Sequence, residues 1–275
     1  MGAEISLDNG YIIANAPKGL KGIHFSFNKI SVGATVNLIM AAVLAKGITV
    51  LSNSAKEPEI INLCNCLIKM GAKIDGIGTD HITIEGVSSL SKAIEKIIPD
   101  RIETGTYMIA AAITHGELML KNADYQSLEN VCLKLQEVGV SITRSRDGML
   151  VKTNGKLSPA DISTMPYPGF PTDLQAQYMT LVGIANGTSV VTENIFENRF
   201  MHVPELCRMG AHITINGSNA VVRGVSKYHG AEVMASDLRA SVSLVLAGLV
   251  ASEPTKIRRI YHLDRGYDSL EAKLR

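Results

Sequence analysis

The chain has 275 residues, 46% of them apolar and 19% charged, which is the composition of a folded globular protein of one large or two ordinary domains. Lysine plus arginine (27) nearly cancels aspartate plus glutamate (26), so no overall positive field argues for nucleic-acid or membrane-surface binding. Any cationic function has to come from a few placed side chains.

The opening stretch MGAEISLDNGYIIANAP is charged early and alternates like strands, so it reads as a hairpin rather than a secretory leader. The connector FNKISVGATVN then starts a helix, and AAVLAKGITVLSN supplies an alanine-rich helix, a stop at Gly47 and a β-branched strand. From Leu67, LIKMGAKIDGIGTDHITIEGV ends a second helix at Gly71, the left-handed position that glycine fills without a Cβ penalty, and alternates through strand, turn and strand. The same order returns with IPDRIETGTYM, AAAITHGELMLKN (Gly116) and LQEVGVSITRSRDGMLVKTNG (Gly139). It returns again with GFPTDLQAQYM, LVGIANGTSVVTEN (Gly187) and LCRMGAHITINGSNAVVRGV (Gly210). A fourth round begins at MASDLRASVSL and continues through SLVLAGLVASEPTKIRRIY, without the glycine.

The unit is therefore helix, strand, helix, strand, strand, recurring about every 70 residues. A unit of that size is expected to form a compact α/β layer with its helices buried against a sheet. The chain opens in the closing hairpin of one unit and stops at SLEAKLR, inside the second helix of another, so a piece of a longer protein is expected. The longest apolar run, Val242 to Ala251, is about half of what a bilayer span needs, so no membrane insertion is expected and a soluble, cytoplasmic protein is.

Cys64, Cys66, Cys132 and Cys207 form no CxxC pair and share no ligand spacing with the seven histidines. Buried or partly buried thiols in a reducing compartment are expected, with no metal and no cofactor. The connectors are more informative. Each places small or acidic capping residues at a helix N-terminus, where backbone N–H groups and the dipole favour anions, and basic residues recur nearby: Lys29, Arg101, Arg199, Arg239 and Arg265.

On KISVGAT (29–35), EPEI (57–60), DRIETGTY (100–107), FPTDLQAQ (170–177), ENRFMHVPELCRMGA (197–211), ASDLRAS (235–241) and RIYHLDRGY (259–267), the chain resembles the enolpyruvyl transferases along essentially its whole length. Within them it resembles the branch that acts on UDP-N-acetylglucosamine. The resemblance implies an α/β fold of two inside-out barrels built from the repeated units and truncated here at both ends. Residues 1–99 would be the remainder of the first domain and 100–275 a nearly complete second one.

The implied reaction moves the carboxyvinyl group of phosphoenolpyruvate to the 3-hydroxyl of UDP-N-acetylglucosamine and releases phosphate, the first committed step of peptidoglycan synthesis. The resemblance gives Asp173 contact with the sugar hydroxyl and a part in proton transfer. Asp237, two residues before Arg239, is expected as a second catalytic carboxylate that orients that arginine or takes part in proton handling. It places Arg199, Arg239 and Arg265 on the phosphoenolpyruvate side, where guanidinium grips carboxylate or phosphate at two points. Lys29, Ser31, Val32 and Gly33 would hold the nucleotide, Ile195 and Phe196 would lie beside the sugar nucleotide, and Arg101 and Glu103 would be hinge or structural residues. The family's N-terminal region supplies further catalytic groups that this chain lacks, so weak substrate binding and negligible turnover by the chain alone are expected. A sibling enzyme acting on shikimate 3-phosphate and a non-catalytic repeat-built binding protein are the alternatives.

Overall fold

The computed structural model describes residues 1–274 and divides into two compact units, Met1–Ile98 and Pro99 onward.

The first unit opens with the antiparallel hairpin β1 (Glu4–Asp8) and β2 (Tyr11–Asn15), turned by Asn9 and Gly10, both at positive φ as a two-residue hairpin turn requires. There follow β3 (His24–Ser26), α1 (Val32–Ala42), β4 (Ile48–Ser52), α2 (Pro58–Lys69), β5 (Lys73–Asp75) and β6 (His81–Glu85). The last four strands form one sheet in the order β3-β4-β6-β5, with β3 parallel to β4 and the other neighbours antiparallel. Leu51, Ile82 and Ile84 of that sheet pack with Ile39 of α1 and with Ile60, Cys64 and Leu67 of α2.

The second unit runs α3 (Arg101–Ile113), β7 (Glu117–Lys121), α4 (Glu129–Val138), β8 (Val140–Ser145), β9 (Gly148–Thr153), β10 (Ile162–Ser163), α5 (Gln175–Val182), β11 (Thr188–Thr192), α6 (Val203–Arg208), β12 (His212–Asn216), β13 (Asn219–Arg223), β14 (Glu232–Met234), α7 (Leu238–Leu249), β15 (Lys256–Arg258) and α8 (Leu270–Lys273). Its sheets are β7-β9-β8, β10-β11-β13-β12 and the parallel pair β14-β15. Helices α3, α5 and α7 pack on one another. Every residue of α5 is buried, whereas the strands carry the exposed, alternating faces. Helices that are apolar all round belong in a core, and the expected inside-out arrangement, helices within and sheets without, is what this unit shows.

Two details differ from the sequence reading. Each four-stranded sheet begins with a short parallel strand ahead of the first helix, β3 or β10, which the repeat pattern does not reveal. The helix-ending glycines Gly71, Gly139 and Gly210 do take positive φ, but in the block containing Gly116 the left-handed residue is His115. Among the described residues no helix is long and apolar enough to cross a membrane.

Candidate functional site

Three of the four expected helix starts are capped by a side chain. Ser31 Oγ accepts from the Ala34 amide at 3.3 Å, Asp100 from those of Ile102 (2.7 Å) and Glu103 (3.0 Å), and Asp237 from those of Arg239 (2.7 Å) and Ala240 (2.9 Å). The start of α5 is the exception. Pro171 is extended and leads into a 3-10 turn, Thr172–Leu174, with no side-chain cap. Asp173, in a DLQA string that parallels the DLRA string of Asp237, is thereby released from capping.

Its carboxylate turns to two arginines instead. Oδ1 accepts from Arg199 Nη2 at 2.7 Å, and Oδ2 lies 3.6 Å from Arg239 Nη2. The Arg199 and Arg239 side chains are 22% and 18% exposed, that of Asp173 38%. Two largely desolvated guanidinium groups meet one carboxylate here, and guanidinium is the group suited to grip a carboxylate or phosphate at two points. Arg199 comes from the segment between β11 and α6, while Arg239 is the second residue of α7. The packing of α5 on α7 thus brings two repeats to one point.

A polar network supports the cluster from below. Gln177 Nε2 donates to the Asp173 carbonyl at 3.0 Å and to Thr106 Oγ1 at 3.2 Å, and Thr106 Oγ1 lies 2.9 Å from the Tyr267 hydroxyl. Burial raises the Tyr267 pKa, against the opposing pull of Thr106 and Arg239. His202 is buried beside the same cluster. Burial pushes its pKa down to about 4, with the Asp237 charge opposing and the Arg199 charge reinforcing the shift, so the ring is neutral near pH 7.

The structure separates the remaining expected residues. Ile195 and Phe196 lie in the loop after β11 and are 37% and 53% exposed; the Arg199 guanidinium sits 4.7 Å from the Phe196 ring centroid. Asp237 acts as the α7 cap and so fixes the backbone from which Arg239 projects. Arg265 is exposed and, among the described residues, joins the Asp173 cluster by no hydrogen bond or ion pair. In the first unit Lys29, Ser31, Val32 and Gly33 are exposed at the start of α1, and a Cβ built on Gly33 meets nothing within 4 Å, which leaves the backbone approachable. Arg101 lies 5.7 Å from the Tyr167 ring centroid, and Glu103 accepts from Lys273 Nζ at 2.7 Å.

All four cysteines are free, and Cys207 is exposed where a buried or partly buried thiol was expected. Burial raises the thiol pKa of Cys64 to about 11 and of Cys132 to about 12, which removes both as nucleophiles at neutral pH. Among the described residues no group of three or more His, Cys, Asp or Glu side chains is placed to hold a metal ion. Sequence reasoning did not single out Thr172, Gln177, Glu193 or His202. The first two lie inside the FPTDLQAQ motif, which was the signal available.

Residues 1–274 match the family described as EPSP synthase (3-phosphoshikimate 1-carboxyvinyltransferase). Over 274 residues the chain is 60% identical to proteins of Rickettsia africae (strain ESF-5) and Rickettsia felis (strain ATCC VR-1525 / URRWXCal2), each named UDP-N-acetylglucosamine 1-carboxyvinyltransferase. All of this chain is covered, and it spans 65% of the length of those relatives. Among solved structures, the enolpyruvyl transferase NikO from Streptomyces tendae superposes with a TM-score of 0.89 at 23% identity, over 99% of this chain and 68% of that one. An EPSP synthase from Acinetobacter baumannii superposes with a TM-score of 0.68 at 20% identity, over 96% of this chain and 65% of that one. At those identities the structural likenesses speak for the fold.

Proposed function

The chain belongs to the EPSP synthase family, and from that premise we propose that it is part of an enolpyruvyl transferase acting on UDP-N-acetylglucosamine and phosphoenolpyruvate. In the proposed reaction the sugar 3-hydroxyl adds to C2 of phosphoenolpyruvate while C3 gains a proton. Loss of a proton from C3 with departure of phosphate then leaves the carboxyvinyl ether. The chemistry needs a base at the hydroxyl and cations around a carboxylate and a phosphate.

The observation that carries the reading is the junction of Asp173, Arg199 and Arg239: one carboxylate, uncapped and turned outward, between two guanidinium groups. Asp173 is assigned to the sugar hydroxyl and to proton transfer, and Arg199 and Arg239 to the anionic donor. Arg265, Ile195, Phe196 and the Lys29–Gly33 segment are assigned to substrate contact, and Asp237 to orienting Arg239. Relatives at 60% identity named for the nucleotide sugar favour it over shikimate 3-phosphate as acceptor. The biological setting that goes with this acceptor is cytoplasmic peptidoglycan synthesis, and through it cell shape and division.

Calorimetric titration of the chain, and of an Asp173→Ala variant, checks the assignment. Saturable binding of UDP-N-acetylglucosamine in the presence of phosphoenolpyruvate is expected, weakened at least about tenfold by the substitution, as for loss of a charged hydrogen-bond partner. Binding of shikimate 3-phosphate in its place would move the chain to the sibling activity. A well-folded chain that binds neither would remove the substrate assignment.

A further inference from the structure

Immediately after β11, Glu193 is 4% exposed, and no cation pairs with its carboxylate among the described residues. Four neutral donors meet the charge instead. Oε1 accepts from Thr164 Oγ1 at 2.8 Å and from the backbone amides of Ile195 at 2.9 Å and Phe196 at 3.1 Å. Oε2 accepts from Thr172 Oγ1 at 2.8 Å. A buried carboxylate is tolerated only when hydrogen-bonded in this way, and bonds to an ionised acceptor are the stronger kind. As a device for stability alone it is poor, because a well-packed apolar residue of similar size does as well or better. What the carboxylate adds is a common point for segments far apart in sequence.

Those segments are the ones that carry the site. Thr172 is the residue before Asp173 and forms the first step of the uncapped turn into α5. Ile195 and Phe196 begin the loop that delivers Arg199, whose guanidinium lies over the Phe196 ring and grips Asp173. Because α5 has no side-chain cap, the direction of its first turn is set from outside the helix, and the Thr172 hydroxyl on Glu193 is a contact that does so. We propose that Glu193 is a positioning residue: through Thr172 and through the Ile195 and Phe196 amides it holds Asp173 and Arg199 in mutual register, without itself touching substrate. The proposal rests on the reading of Asp173 as a substrate-facing group.

The test uses the whole 275-residue chain. Thr172→Val keeps the shape and removes only the donor to Oε2, Thr172→Ser restores the donor, and Glu193→Gln keeps an acceptor for the two amides. Two quantities are read: calorimetric affinity for UDP-N-acetylglucosamine with phosphoenolpyruvate, and ligand-free hydrogen exchange at the amides of Leu174, Ile195 and Phe196. Thr172→Val is expected to weaken binding about tenfold and speed exchange at Leu174 by a similar factor, leaving Ile195 and Phe196 protected. Thr172→Ser and Glu193→Gln are expected to stay within about threefold of wild type on both readouts, a rescue that a merely space-filling role would not need.

Unchanged exchange at Leu174 in Thr172→Val overturns the proposal. So does unchanged binding by that variant when Asp173→Ala has lost it, an outcome that leaves the proposed function standing. If the wild-type chain binds neither substrate, the substrate assignment falls by itself and exchange at Leu174 alone decides for or against the positioning role.

Discussion

His202 shows how much one side chain beside the site constrains. Its ring is fully buried, is hydrogen-bonded to the Arg199 backbone and leaves Nε2 without a partner, so a proton added there has to be accommodated without water and near the Arg199 charge. With a folded-state pKa of about 4 against an ordinary value of 6.5, the unfolded chain binds the proton more tightly between those two pH values. The stabilisation from keeping His202 neutral is therefore fully present above the unfolded pKa and is lost as pH falls toward the folded one. By linkage the loss is about 2 kcal/mol at pH 5 relative to pH 7.5. Urea unfolding at those two pH values checks this. A His202→Gln variant, which keeps a polar side chain but does not titrate, is expected to lose that part of the pH dependence; an identical pH dependence in wild type and variant would sink the idea. Arg199 belongs to the same unit, because its backbone holds the ring while its guanidinium holds Asp173.

At the scale of elements, most of the fold is legible in the sequence because helix and strand periods repeat with glycine punctuation. The paired strands β5 and β6, β8 and β9, and β12 and β13 fall in the alternating stretches after Gly71, Gly139 and Gly210. The parallel strands β3 and β10 are not legible, since two or three residues hold no period and their partners β4 and β11 lie beyond an intervening helix. The site divides along the same line. Asp173, Arg199 and Arg239 stand in motifs that can be read locally, whereas Glu193 is recognisable only once Thr172 and Thr164, 21 and 29 residues away, are in place. Asp173 and Asp237 look alike in sequence, and the 3-10 turn separates a carboxylate paired with arginines from one that caps a helix.

The same repeats set a steric test. Gly86 and Gly224 end the closing strands of two units, donating to the carbonyls of Gly47 and Gly187, and a Cβ on either would stand 1.6 Å from the carbonyl oxygen of Ala45 or Ala185. Gly224→Ala is expected to cost roughly 2–4 kcal/mol in urea unfolding, because backbone has to yield. Gly217→Ala is expected to cost only about 1 kcal/mol: it sits at a φ of 59° in the β12–β13 turn with nothing within 4 Å of its Cβ. Equal costs at the two positions would mean that the repeats tolerate a looser junction than the geometry implies.

For the 275-residue chain by itself, the uneven covering of apolar surface bears on its behaviour in solution. In the second unit α3, α5 and α7 bury one another, and even polar residues such as Thr106, Thr180 and Ser243 are fully enclosed. In the first unit α1 keeps Ile39 and Ala42 inside but leaves Met40 45% exposed, with Leu44 just beyond its end at 54%. The hairpin is barer still. Its register pairs Ile5 with Ala14 and Leu7 with Ile12, which puts four apolar side chains on one face, and Ile5, Leu7 and Ile12 are each 70% exposed or more. An isolated two-stranded hairpin is marginal in water, and a contiguous apolar face of this kind drives association. Sedimentation velocity at rising concentration is expected to show reversible self-association of the chain, together with binding of a hydrophobic dye. Paired substitution of Ile5 and Ile12 by threonine keeps the β preference and removes most of that apolar face. It is expected to shift the chain toward monomer without moving the unfolding midpoint, since neither side chain contributes to a core cluster. A monomeric wild type with no dye binding would mean that the hairpin face is shielded in solution, and a fall in the midpoint with the double substitution would mean that it already packs within the chain.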